Sequence, residues 1–76
     1  MSIRNNIRYY RAVLGISQLE LASRCGISQN AISDLERGVY RPTLDTACTI
    51  ADILHQPLRS VFPIYIHKSK KNVDTL

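Results

Sequence analysis

Near the start of the chain the apolar residues fall at Ile3, Ile7, Tyr10 and Leu14, at the three- and four-residue steps of one helical face. Arg4, Arg8 and Arg11 mostly occupy other faces, and Gly15 is placed to stop the helix. A second helix is signalled by "ISQLELASRCG". Ser17 and Glu20 have capping-box spacing, in which each residue satisfies a free amide of the first turn. Ile16 and Leu21 bracket them as a hydrophobic staple, and the pattern predicts a helix from about Gln18 to Cys25 that ends at Gly26.

The device repeats in "CGISQNAISDLERG", where Ser28 caps, Ile27 and Ile32 staple, and Gly38 stops. Ile32 and Leu35 form the inner stripe of this third helix. Its start is nevertheless built from Ser28, Gln29 and Asn30, side chains that bury poorly and hydrogen-bond well. The connection around Gly26 is so short that the second and third helices must cross steeply, as in a helix-turn-helix. Thr43 caps a fourth helix, with Asp45 in its first turn. There Leu44, Ala47, Cys48, Ala51 and Leu54 share a face flanked by Ile50 and Ile53. Pro57 suits the first position of a very short fifth helix holding Leu58, Val61 and Phe62, and Pro63 ends it. The remaining "IYIHKSKKNVDTL" alternates briefly and then turns polar, so it reads as a short strand, an arm or a disordered end. The expectation is an all-α, compact five-helix bundle over residues 1–62 with a short tail over 63–76.

At 76 residues the chain has room for one domain, and its core must use most of the apolar residues. With 45% hydrophobic and 21% charged residues it is far from a disordered composition, and without tryptophan the core must be aliphatic. The formal charge of +4 fits a nucleic-acid partner without demanding one. Lys68, Lys70 and Lys71 against Asp74 place half of that excess in the tail. Cys25 and Cys48 lack metal spacing and a disulfide framework, and read as reduced, buried thiols of a cytoplasmic protein. No signal peptide precedes the first helix, and no apolar run approaches the ~20 residues of a membrane span. His55 and His67 have no recognisable partners, and His55 near the end of the fourth helix suits the helix dipole. No carboxylate pair or glycine-rich phosphate loop stands out. Neither catalysis, a metal nor a cofactor is expected.

From Gln18 onward, small or apolar residues fall at Leu21, Ala22, Cys25, Ile27, Ile32 and Leu35, with Gly26 at the turn. This resembles the helix-turn-helix of the Cro and phage-repressor family, also called the XRE family. The segments "IRYYRAVLGISQLELA", "ISDLERG", "RPTLDTACTIADIL" and "LRSVF" are similar to segments of that family in the right order, over residues from about 3 to 62. The resemblance implies a lambda-repressor-like DNA-binding domain and an ion pair of Arg11 with Glu36 that ties the first helix to the end of the third.

A helix-turn-helix protein inserts the outward surface of its third helix into the major groove, leading with the N-terminal end. Here that surface carries Gln29, Asn30, Ser33, Asp34 and Arg37. Gln and Asn each combine a donor with an acceptor, matching adenine at its amino group and N7. The resemblance implies base contacts at Gln29, Asn30 and Asp34, and Ser33 is a further candidate. Asp34 is the anomaly, because phosphates repel a carboxylate unless it meets a donor such as the amino group of cytosine. It serves otherwise as a selector against acceptors, or simply pairs with Arg37. Phosphate contacts are expected from Gln18, Ser28, Arg37, Tyr40 and Arg41, with Gln18 at a helix start that favours anions. Arg8 and Arg24 have no assigned role.

One such module spans few base pairs, so a homodimer on a palindromic double-stranded operator is expected. Without a separate dimerisation domain, its interface would use Phe62, Ile64, Tyr65 and Ile66, unless these finish the chain's own core. The resulting expectation is a cytoplasmic, bacterial or phage-type transcriptional regulator, most simply a repressor. The alternative is an antitoxin-type interaction module that binds a protein partner as well as DNA.

Overall fold

Ser17, Ser28 and Thr43 each accept a hydrogen bond from the amide three residues on, and these three caps set where the central helices begin. The computed structural model describes residues 4–39 and 41–65. Within them run α1 (Ile7–Leu14), α2 (Gln18–Cys25), α3 (Gln29–Glu36), α4 (Leu44–Ile53) and α5 (Leu58–Val61), followed by one 3₁₀ turn at Pro63–Tyr65. The architecture is all-α, with no strand among the described residues. The readings made for Ile3, Tyr40, Ile66 and the tail beyond it lie outside the described residues.

The capping box at α2 is half formed. Ser17 Oγ accepts the Glu20 amide at 3.0 Å, but the Glu20 carboxylate reaches forward to Arg24 and not back to Ser17. Between α2 and α3, Gly26 has φ +74°, and a Cβ there would meet nothing within 4 Å. The left-handed backbone, not lack of space, is therefore what calls for glycine at this turn. At α1 the cap works differently from a serine cap, since Asn5 Oδ1 accepts the Ile7 amide and Asn5 Nδ2 donates to the Leu35 carbonyl at 2.6 Å. Asn6 likewise donates from Nδ2 to the Ser60 carbonyl and from its backbone amide to the Val61 carbonyl. These two asparagines tie the start of α1 to the end of α3 and to α5.

Ile7, Leu21, Ala22, Ile32 and Leu35 meet Ala47, Ile50, Ala51, Leu54, Val61, Phe62 and Tyr65 in one buried cluster, so the core is not purely aliphatic as expected but includes two aromatic rings. α2 packs on both α3 and α4, and α5 closes against α4. Several expectations need correction. Leu14 and Leu44 are exposed, and so is Cys48, which is not a buried thiol. α4 is apolar on most sides, so its neighbours choose the buried face, and they choose Ala47, Ile50, Ala51 and Leu54. Cys25 is only half-buried, and that burial pushes its thiol pKa up, away from the reactive thiolate.

The largest correction concerns the C-terminal end. Phe62 is wholly buried, Tyr65 is buried beside it edge-to-face at 6.2 Å, and Ile64 is partly buried against the same cluster. The Tyr65 hydroxyl donates to the Pro42 carbonyl. Phe62 and Tyr65 therefore present no apolar surface to a second chain, because this chain's own core takes them. The folded body runs past Phe62 to Tyr65. Pro57 also sits one step earlier than expected, at the cap of α5.

Candidate nucleic-acid interface

Burial of Ile32 and Leu35 fixes which side of α3 faces the core and so which side faces outward. Successive helical residues turn by about 100°, which places Asn30, Ser33, Asp34 and Arg37 around the side opposite that stripe, with Gln29 at its edge. Gln29 and Asn30 are exposed at the first turn, and neither side chain has a hydrogen-bond partner among the described residues. Ser28 Oγ accepts the Ala31 amide at 3.1 Å, and its hydroxyl proton remains to donate elsewhere. Ser33 is half-buried. Asp34 and Arg37 are joined as an ion pair one turn apart, with side-chain exposures of 38% and 66%.

Behind this ridge lies the Arg11–Glu36 pair that the resemblance implied. Arg11 Nε donates to Glu36 Oε2 at 2.6 Å and its Nη2 to Oε1 at 3.2 Å, in the two-pronged geometry that matches a guanidinium to a carboxylate. A third donor, Nη1, reaches the Ile16 carbonyl at 3.0 Å. The side chains are only 15% and 6% exposed, so this pair is shielded from solvent as surface pairs are not. Glu36 also accepts from Gln18 Nε2 at 3.0 Å. Gln18 is thus partly committed inside the protein, with one amide proton and its carbonyl oxygen left over.

Arg8, Arg11, Gln18, Ser33, Glu36 and Arg37 line a cleft of about 340 Å³ between α1, the start of α2 and the outward face of α3. Sequence reasoning left Arg8 without a role, because only the crossing of the helices brings it beside α3. It is exposed and pairs with no carboxylate among the described residues. Arg24, by contrast, is engaged with Glu20 on the surface of α2. Arg41 is exposed on the segment that leads from α3 to α4, and no described residue pairs with it. No group of three or more His, Cys, Asp or Glu among the described residues is arranged to hold a metal, and no described helix is long and apolar enough to cross a membrane.

The helix-turn-helix family model matches residues 7–60. An uncharacterized HTH-type transcriptional regulator of Methanocaldococcus jannaschii is 33% identical over 60 residues, covering 79% of this chain and 91% of that protein. Another, from Methanothermobacter thermautotrophicus, is 44% identical over 52 residues, covering 68% of this chain and 75% of its own length. Among solved structures, the clp gene regulator ClgR from C. glutamicum superposes with a TM-score of 0.65 at 27% identity, over 68% of each chain. The hypothetical transcription factor NHTF from Neisseria gives a TM-score of 0.70 at 30% identity, over 75% of this chain and 66% of that one.

Proposed function

The chain belongs to the helix-turn-helix family, and we propose that it is a sequence-specific regulator of transcription that docks α3 in the major groove of double-stranded DNA. The observation that carries this reading is the pair Gln29 and Asn30, exposed and without a partner among the described residues, at the leading end of a helix whose other side is buried. An exposed amide that bonds to none of the described residues is available to the adenine edge, which offers an acceptor beside a donor. Ser33 and Asp34 complete the reading surface. Phosphates are met by Gln18 through its remaining amide proton, by the Ser28 hydroxyl, by Arg41 and by the neighbouring Tyr40.

Four side chains on one short helix discriminate few base pairs, so the protein acts as a homodimer on a palindromic operator. Phe62 and Tyr65 cannot supply that contact, which must come from another surface. Repression follows by occlusion of a promoter, in the cytoplasm and on the nucleoid.

The test begins with a preferred site selected from random duplexes. On that site Gln29→Ala is expected to cost ~1–3 kcal/mol and to erase the preference at one base pair, with binding to random DNA unchanged. Arg41→Ala is expected to weaken binding to all sequences alike and to shallow the salt dependence by about one unit. Equal losses of Gln29→Ala on preferred and random DNA would remove Gln29 from the readers.

A further inference from the structure

We propose that the Asp34–Arg37 ion pair reads one C·G base pair as a unit, in place of the phosphate contact that the position of Arg37 suggests. This deepens the preceding reading and rests on it. The pair lies on the outward ridge of α3, with Asn30 one turn before Asp34. An exposed pair of this spacing adds little to the stability of a helix, so stability does not account for it. Its effect on the ridge is electrostatic. Phosphates on both walls of the groove repel a lone carboxylate, whereas Arg37 cancels the charge of Asp34 at the point where it would enter.

The pair also has a pattern. It sets an acceptor, the carboxylate, next to a donor, the guanidinium. The major-groove edge of a C·G pair has the complementary arrangement, the cytosine amino donor beside guanine O6 and N7. One Asp34 oxygen is spent on Arg37, which leaves the other for the cytosine amino group. Arg37 has five N–H donors and uses one on Asp34, so it retains enough for guanine O6 and N7. Guanine and thymine facing Asp34 present acceptors that the carboxylate rejects, and adenine sets N7 beside its amino group. Asp34 therefore fixes which way round the base pair lies, and Arg37 makes its presence in the groove tolerable.

The experiment selects bound duplexes from a random pool with the intact protein and with Asp34→Asn, Asp34→Ala, Arg37→Ala and the double alanine variant. Both sites are exposed, and melting curves establish that each variant folds. The wild type is expected to enrich a motif with a C·G pair that both single alanine variants relax by roughly five- to tenfold, at the same position and no other. The double variant is expected to relax that position no further than either single variant, which is the signature of coupled groups. Asp34→Asn is expected to admit adenine there, since an amide matches adenine. A wild-type motif that keeps all its preferences in Asp34→Ala overturns the proposal, as does an Arg37→Ala variant that only weakens binding uniformly. A pool that yields no motif with the wild type overturns sequence-specific binding itself, and with it this inference.

Discussion

Arg11→Ala is expected to lower the melting temperature by roughly 12–24 °C, the shift that a loss of ~3 kcal/mol produces in a domain of this size. The magnitude follows from what is left behind. Removing the guanidinium strands Glu36, which is 6% exposed, with Gln18 as its remaining partner. It also strips the Ile16 carbonyl of the Arg11 donor. A buried carboxylate without its counter-ion costs far more than an exposed one, because water cannot replace what was taken away. Arg11→Lys tests the geometry separately. It keeps the charge but has no fork, so it is expected to recover only part of the loss. A wild-type melting temperature in Arg11→Ala would mean that the pair contributes nothing to the fold.

The second large effect is expected at Phe62→Ala. Phe62 is wholly buried and meets Tyr65 edge-to-face. Truncating a buried phenylalanine costs ~3–5 kcal/mol through lost burial and the cavity that remains. A domain of this length has only ~4–11 kcal/mol in total, so the variant is expected to be marginally folded at room temperature. The measurement is thermal unfolding at protein concentrations spanning two decades. Because Phe62 completes the chain's own core, the loss relative to wild type is expected to be the same at every concentration. A loss that disappears on dilution would return Phe62 to an interface between two chains.

Features set by residues close together in the chain show in the sequence, and features set by contacts between distant elements do not. The bounds of α2 and the caps Ser17, Ser28 and Thr43 depend on residues three or four positions apart, and these were legible. The same holds for the turn at Gly26, where φ is a local property. The Arg11–Glu36 pair spans 25 residues and was legible only through family resemblance. What was not legible depended on packing between elements. The apolar positions of α4 fit more than one face, so nothing local told Cys48 and Leu44 that they would stay outside. Phe62 and Tyr65 satisfied an interface and a core equally well as a pattern, and the bond from Tyr65 to Pro42 was out of reach of any periodicity. The tandem Asn5–Asn6 was missed for a related reason. An asparagine before a helix reads as a cap, and only the fold reveals that Asn5 also holds the far end of α3.

At the candidate interface the same division applies. The outward residues of α3 followed from its 3.6-residue period. The partial commitment of Gln18 to Glu36 and the entry of Arg8 beside α3 did not, since both arise where α1 and α2 cross α3.

Reading of the major groove by α3 is tested most directly by the affinity of the intact protein for its selected site when every purine there is replaced by its 7-deaza analogue. That replacement removes the N7 acceptors from the major groove and leaves base pairing and the minor groove in place. Docking through Gln29 and Asn30 predicts a loss of at least about tenfold on the substituted site. Undiminished affinity for the 7-deaza duplex would contradict it.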